Sequence, residues 1–234
     1  MTDSASTSSG SATLGMLLLA EPVSADEVRK FLDDAGFEAR LSDGGDVVLS
    51  AVEGVELMIS PVPRSLGGDG VLDNIHPVLT TDEEMQAIGM HSAHLIVGAL
   101  GFGDVRDVYR AHARALSALA GLEHAVGYSI DGTTMGAQGL RSELANSPES
   151  PVQLWAPAWV WEGDDGVTGY TYGLAGFGLP ELQLVDAEVS TPEAYLLLID
   201  ASRHLIAGGE LKSFSGESAS WVVDPSRKAW RLRR

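Results

Sequence analysis

The fold is decided by the stretch Leu14-Gly-Met-Leu-Leu-Leu-Ala-Glu-Pro-Val-Ser-Ala-Asp-Glu-Val-Arg-Lys-Phe-Leu32. An apolar run over residues 14–20, ended by an acidic residue and a proline, predicts a buried strand. Ser24 followed three residues later by Glu27 has the pattern of a capping box, which marks the start of a helix. Gly36 supplies the stop signal, so one amphipathic helix of about three turns is expected after the first strand.

Three short strands are predicted after this helix, over residues 37–41, 46–51 and 55–59, with Gly-rich turns between them. Turns this short join antiparallel strands, because a parallel crossover needs a dozen or more residues. A similar strand–helix–strand–strand pattern returns over residues 181–223. The sequence therefore predicts an α+β fold with antiparallel or mixed sheets and helices packed on them, and two β-α-β-β type halves are one option.

The chain is expected to divide into four parts. Residues 1–13 are nearly all Ser, Thr, Ala and Gly, a composition that predicts a disordered tail. Residues 61–79 are rich in Pro and Gly, so we place a boundary there between a first α+β half, 14–79, and a second half, 80–225. Residues 226–234 form a short basic tail.

Charge and composition exclude several classes of function. The 234 residues include 15 basic and 33 acidic side chains, a formal charge of −18, and no cysteine. This charge argues against nucleic-acid binding, because phosphate contacts need a clustered positive face, and it favours a basic partner. The lack of cysteine excludes disulfides and thiolate metal sites. No apolar stretch reaches the roughly 18 residues of a membrane span, so we expect a cytoplasmic protein without membrane contact.

One motif carries a family resemblance. Residues 172–184 read Tyr-Gly-Leu-Ala-Gly-Phe-Gly-Leu-Pro-Glu-Leu-Gln-Leu, and Thr191-Pro-Glu-Ala-Tyr195 with an apolar helix follows. Over residues 155–209 the chain resembles an uncharacterised bacterial family, number 4261 in the domain-of-unknown-function series, with fainter similarity around residues 92–97. The resemblance implies a bacterial, stand-alone domain without an assigned activity, and it carries over no catalytic residue.

Two features are candidates for metal or nucleotide chemistry. His91 and His94 precede a predicted strand, downstream of acidic residues at 82–84, and could be drawn as a metal site. On a strand, however, side chains three residues apart point to opposite faces, so we expect no metal there. Gly101-Phe-Gly-Asp104 precedes a helix, but Asp104 would put a negative charge where a phosphate binds. We therefore expect a tight turn capped by Asp104, and no cofactor.

An aromatic hairpin is the sharpest local signal. Strands are predicted over residues 152–161 and 167–174, on either side of the turn Glu162-Gly-Asp-Asp-Gly166. Trp155, Trp159 and Trp161 fall at alternating positions and would share one face of the first strand. One interpretation buries this face, with Trp159 at its centre, in the core of the protein.

The other interpretation exposes the edge of the hairpin to a partner. Trp161, Tyr170 and Tyr172 would then form an aromatic surface beside Asp164 and Asp165 in the turn. Aromatic faces and carboxylates together suit an arginine, through cation–π contact and ion pairing. These five residues are the predicted partner-binding site.

No catalytic constellation converges in the sequence, and no Gly-x-Ser-x-Gly nucleophile motif is present. We therefore predict a non-enzymatic acidic binding protein, of the immunity or antitoxin type that masks a basic protein partner. The alternative is a small-molecule hydrolase or metal-dependent enzyme that uses His91, His94 and acidic loop residues.

Overall fold

The computed structural model describes residues 10–67, 70–130 and 132–211, together with the backbone of residues 220–224 and 229–233. The chain divides into two compact units, Met1–Glu149 and Ser150–Arg234. Each unit contains its own sheet, with seven strands in the first and five in the second.

The sheet of the first unit is antiparallel throughout, and its strands lie in the order β2-β3-β4-β5-β1-β6-β7. The apolar run at the start of the chain lies inside the sheet as β1, and its Leu17, Leu18 and Leu19 are fully buried. The strands are β1 (Gly10–Leu19), β2 (Arg40–Leu41), β3 (Val48–Val52), β4 (Val55–Val62), β5 (Ala93–Phe102), β6 (Ala125–Ile130) and β7 (Thr133–Gly136).

Five helices accompany this sheet in the described part of the first unit: α1 (Ala25–Asp34), α2 (Gly70–Asp73), α3 (Asp82–Gly89), α4 (Val105–Leu119) and α5 (Ala137–Asn146). Helix α1 begins with the predicted capping box of Ser24 and Glu27. Asp104 caps α4, also as predicted. Helix α4 packs on β1, β4 and β5 and buries Leu116 and Leu119 there, so it covers one face of the sheet.

The opposite face of this sheet is covered only in part. Leu18 of β1 forms a small core with Val71 of α2 and Ile88 of α3. Further along the same face, Leu14 and Leu100 stay exposed. The short α2–α3 region therefore covers one end of the face, and among the described residues none covers the other end.

The second unit is an α+β unit with a mixed sheet of order β11-β12-β10-β9-β8. Strands β10 and β12 are parallel, and the other neighbours are antiparallel. Helix α7 packs on β8, β9 and β10. The elements are α6 (Val152–Trp155), β8 (Ala158–Gly163), β9 (Gly166–Thr171), a 3-10 helix (Leu174–Phe177), β10 (Glu181–Ala187), α7 (Thr191–Ile206), β11 (Ser220–Asp224) and β12 (Ala229–Arg233).

The predicted α+β class is confirmed, but the two β-α-β-β segments are not equivalent. In the first unit, β5 lies between β1 and β4, so β1 does not pair with the strands that follow α1. In the second unit, β10 pairs directly with β12. Among the described helices, none combines the length and apolar character needed to cross a bilayer.

Three of the predicted boundaries are corrected by the structure. Residues 10–13 belong to β1 and pair with β5, so the expected tail of residues 1–13 does not extend that far, and residues 1–9 lie outside the described ranges. A boundary at residue 79 is wrong, because β5 pairs with both β1 and β4 and joins the two expected halves in one sheet. In the predicted basic tail, residues 229–233 form β12, and the rest of that tail is outside the described residues.

Candidate functional site

The candidate site lies on the hairpin of β8 and β9 in the second unit. The strands are joined by a turn that carries Asp164 and Asp165, both exposed. Gly166 ends this turn with φ at 145°, and a side chain at this position would collide with the backbone of Asp186 and Ala187. Only glycine fits there, so the acidic turn is held in place by the packing of the hairpin against the end of β10.

The two faces of the hairpin have different environments. Helix α7 covers one face, and a Cβ at Gly169 would lie only 3.0 Å from the Leu198 side chain of that helix. The other face carries Trp161, Tyr170 and Tyr172, which are 48%, 39% and 49% exposed. Because α7 occupies only one side, the alternation of the strands leaves these three aromatic side chains in solvent.

Trp161 and Tyr170 form a packed pair. Their ring centroids are 5.9 Å apart and their planes are inclined at 71°, an edge-to-face arrangement. Since Trp159 is the direct partner of Tyr170 in the register, Trp161 reaches Tyr170 along the diagonal between the strands. Such pairs are more favourable than their buried area alone implies, so the two rings hold each other in a defined orientation.

Tyr172 is positioned by the loop that follows β9. Its backbone N–H donates to the Pro157 carbonyl at 3.1 Å. The Glu181 carboxylate accepts hydrogen bonds from the N–H groups of Gly173 and Ala175 and from the Thr171 hydroxyl, at 2.9, 3.1 and 2.8 Å. The segment of residues 172–184 is thus a structural support that fixes the backbone of Tyr172.

The predicted first strand of the hairpin is wrong at its start. Residues Val152–Trp155 form the short helix α6, in which the Trp155 N–H donates to the Pro151 carbonyl. Trp155 is 4% exposed and packs against Phe177, with centroids 5.6 Å apart, so it does not share a face with the other tryptophans. Pro151 is the N-cap of this helix, and the spacing of the aromatic residues alone does not reveal that a helix begins there.

Trp159 is half-buried rather than enclosed in the core. It lies on the same face as Trp161, the face opposite α7. The residue that sequence reasoning missed here is Gln183, which is paired with Tyr170 in the register of β10 and extends the aromatic face across a third strand. Strand alternation from Glu181 was the signal that could have found it.

All five residues of the predicted partner-binding site lie on this one hairpin. The structure places Trp161 and Tyr170 in contact, and it places Asp164 and Asp165 in the turn directly beyond Trp161. Tyr172 follows two residues after Tyr170, at the opposite end from the turn. The arrangement can present aromatic faces and two carboxylates to one cationic group or chain.

His91 and His94 have a different role from the one considered for a metal site. His91 precedes β5, and its Nε2 accepts the Leu66 N–H at 2.9 Å while its Nδ1 donates to the Ile88 carbonyl at 2.6 Å. His94 is buried and donates from Nδ1 to the Arg64 carbonyl at 2.9 Å. Burial lowers the pKa of His94.

The expectation that the two imidazoles point to opposite faces is therefore wrong. Both rings reach the same loop, at Arg64 and Leu66, because His91 is not on the strand. Both ring nitrogens of His91 and one of His94 are hydrogen-bonded to backbone groups. The two histidines therefore hold the loop of Arg64 and Leu66 against the sheet. Within the described ranges, no group of three or more His, Asp or Glu side chains is placed to hold a metal ion.

The Gly-rich turn before α4 is closed by its own aspartate. The Asp104 carboxylate accepts the Arg106 N–H at 2.9 Å, and this backbone hydrogen bond holds the pKa of the Asp104 carboxyl below its usual value. The first-turn position that an anion would occupy is filled by a negative charge.

The chain matches no model of a known protein family, no curated protein and no solved structure. The resemblance of residues 155–209 to the uncharacterised family stays a prediction.

Proposed function

We propose that this protein is a non-enzymatic, acidic binding protein of the bacterial cytoplasm, and that it takes a basic protein partner onto the β8–β9 hairpin. One observation carries the proposal: Trp161, Tyr170 and Tyr172 are 39–49% exposed on one face of a hairpin that ends in Asp164 and Asp165. An aromatic surface of this kind is costly to leave in water, and Trp and Tyr are the residues that most often carry binding energy at interfaces.

The chemistry of the hairpin suits an arginine of the partner. A guanidinium can stack on the face of Trp161 or Tyr170 while it pairs with a carboxylate of the neighbouring turn. The edge-to-face packing of these two rings leaves little rotamer freedom to lose on binding, which favours affinity. Arginine is preferred over lysine here, because its flat, weakly hydrated head group stacks more readily.

The overall charge supports the same class of partner. At −18, the chain attracts a positively charged protein from a distance and repels nucleic acid. An immunity or antitoxin protein acts in this way when it masks the positive active surface of its toxin.

The test is a capture experiment with a matched control. Wild-type protein, the double variant Trp161→Ala/Asp164→Ala and the control Leu196→Ala/Asp200→Ala would each be used as bait in the native lysate at low and high salt. The control also removes one exposed apolar side chain and one exposed carboxylate of the second unit, but from α7.

We expect the wild type and the control to retain the same basic protein, and the hairpin variant to lose it with its melting temperature unchanged. Retention should weaken as salt rises, because the encounter is electrostatic. If the hairpin variant retains the partner as well as the control does, or if it unfolds, the hairpin is not the binding surface.

A further inference from the structure

A row of side chains crosses the open face of the seven-stranded sheet in the first unit. In the register, Gly98 of β5 lies between Leu14 of β1 and Met58 of β4, and Leu49 of β3 is the next partner of Met58. Leu14 and Met58 are 49% and 44% exposed, although both lie on central strands. The side chains of this row are therefore apolar and exposed to solvent. The surface has a depression at the centre of the row, because Gly98 has no side chain.

The neighbouring row completes a groove. There Leu100 of β5, 43% exposed, lies between Ala12 of β1 and Glu56 of β4. Together the two rows form the floor of an open groove of about 810 Å³. The α2–α3 region covers the Leu18 end of the same face and leaves this end uncovered.

Gly98 is not explained by the fold. The pairing of β5 with β1 and with β4 continues through Gly98 without a bulge. A Cβ built at this position would meet its nearest neighbours at 3.7–3.9 Å, which is ordinary contact, so an alanine would fit. A glycine inside a regular strand weakens it, and such glycines often mark a place where a ligand or another backbone comes close.

The rim of the groove is acidic. Glu56 stands beside Leu100, and Glu38 lines the side near β2 together with Arg40. Neither Glu38 nor Glu56 forms an ion pair with any residue that the structure describes, whereas Asp33 nearby is bonded to Arg29 at 2.6 Å. Glu38 and Glu56 are therefore available to pair with a cation beside the apolar floor of the groove. This combination favours a ligand that has both apolar and positively charged groups.

We propose that this groove is the docking site for a basic amphipathic segment of a protein partner. An apolar side chain of the segment would lie over Gly98, between Leu14 and Met58, and its Lys or Arg residues would face Glu56 and Glu38. A second copy of this chain is a poor occupant, because each copy carries a charge of −18. The site is in the first unit and does not rest on the function proposed for the hairpin.

The test uses three synthetic peptides of about 14 residues, long enough for roughly four helical turns. One is an amphipathic helix of Leu and Lys, the second has Ser in place of each Leu, and the third has Glu in place of each Lys. Binding to the full chain would be followed by fluorescence anisotropy, and the site would be located from the methyl NMR signals of the six methionines.

We expect only the Leu/Lys peptide to bind with a shift of the Met58 methyl signal. Gly98→Leu fills the groove and should weaken binding by about tenfold or more, which is a loss of at least 1.4 kcal/mol. Glu56→Lys, a change of an exposed side chain, should weaken binding similarly and serves as the second variant if Gly98→Leu fails to fold. Trp161→Ala in the other unit should leave this affinity unchanged.

Three results with the peptides and the groove variants would overturn the proposal. They are an unmoved Met58 signal, equal binding of the Leu/Lys and Ser/Lys peptides, and wild-type affinity in folded Gly98→Leu and Glu56→Lys. Loss of peptide binding in Trp161→Ala alone would likewise reject the groove and would assign the peptide to the hairpin, so the two proposals fail separately.

Discussion

The carboxylate of Glu181 accepts the backbone N–H of Gly173 at 2.9 Å, across the loop that joins β9 to β10. The same carboxylate holds the Ala175 N–H and the Thr171 hydroxyl. The half-buried residue at the start of β10 thus determines the course of the backbone at Tyr172, an exposed aromatic of the candidate site. The proposed partner surface depends on a hydrogen-bond network that is not itself part of that surface.

Two glycines of this loop should respond differently to alanine. Gly173 has φ at 123°, and a Cβ there would lie against the Trp155 carbonyl, whereas Gly178 has φ at 71° with nothing within 4 Å. Gly178→Ala should lower the free energy of unfolding by about 1–2 kcal/mol, because alanine is disfavoured in the left-handed backbone conformation that this position requires. Gly173→Ala should cost more, about 3 kcal/mol, since strain and collision add.

All five tryptophans lie in the second unit, so tryptophan fluorescence during urea unfolding measures this pair of variants. Equal losses for the two glycines would show that the loop relaxes around the Trp155 carbonyl.

Alanine substitutions of the three tryptophans in residues 155–161 should lower the free energy of unfolding by three different amounts. Trp155→Ala removes a side chain that is 4% exposed and packed against Phe177, and it should cost about 3–5 kcal/mol. Trp159→Ala should cost less, about 1–2 kcal/mol, because Trp159 is half-buried. Trp161→Ala should cost least, about 0.5–1 kcal/mol, since at this exposed position it loses only the edge-to-face contact with Tyr170. Thermal unfolding of the second unit measures the order, and a Trp161 variant as unstable as the Trp155 variant would place the aromatic face in the core.

Glu84 should matter more than an ordinary capping residue. Its carboxylate accepts the Thr81 N–H at the start of α3 and the Gln138 N–H at the start of α5, at 3.0 and 2.6 Å. Gly136, the N-cap of α5, has no side chain, and the Glu84 carboxyl group occupies the place where its Cβ would be. Glu84→Ala should therefore cost about 2 kcal/mol, roughly one cap for each helix.

Glu27→Ala is the matched control, because Glu27 closes the capping box of α1 alone. We expect a cost of about 1 kcal/mol there. Hydrogen exchange of the amides of α3 and α5 measures the difference. Unchanged protection of α5 in Glu84→Ala would mean that α5 does not depend on this carboxylate.

His112 should make the first unit sensitive to acid. Complete burial lowers the pKa of His112 from 6.5 to about 4, and its Nε2 lies 3.1 Å from the Val97 carbonyl. The folded state keeps the ring neutral while the unfolded chain takes up a proton below pH 6.5. The stability from this group is therefore complete above pH 6.5 and is lost as the pH falls towards 4, by on the order of 3 kcal/mol.

His112→Gln removes the titration and keeps an amide that can donate to the same carbonyl. The fall in stability between pH 6.5 and 4.5, followed by hydrogen exchange of α4, should become much shallower in this variant. His94, whose pKa burial also lowers, accounts for part of the slope that remains. A slope equal to that of wild type would exclude His112 as its source.

Local signals in the sequence were sufficient for the fold class and for most element starts. The capping box at Ser24 and Glu27, the Asp104 cap of α4 and the short turns between β2, β3 and β4 involve residues close together in the chain. Their energetics are decided within one or two turns of backbone, so pattern alone predicts them. Alternation along one strand also predicts that Trp159 and Trp161 share one face of the hairpin.

What only the tertiary structure decided are the relations between distant residues. Strand alternation cannot say which face a helix covers, so the half-burial of Trp159 depended on where α7 packs. The insertion of β5 between β1 and β4, which contradicts the expected boundary at residue 79, depends on pairings between residues about 30 to 90 positions apart in the chain. The free energy that favours such pairings comes from burying apolar surface across the whole sheet. It therefore cannot be estimated from a short segment of the sequence. For the same reason, the groove over Gly98 exists only once three strands lie side by side.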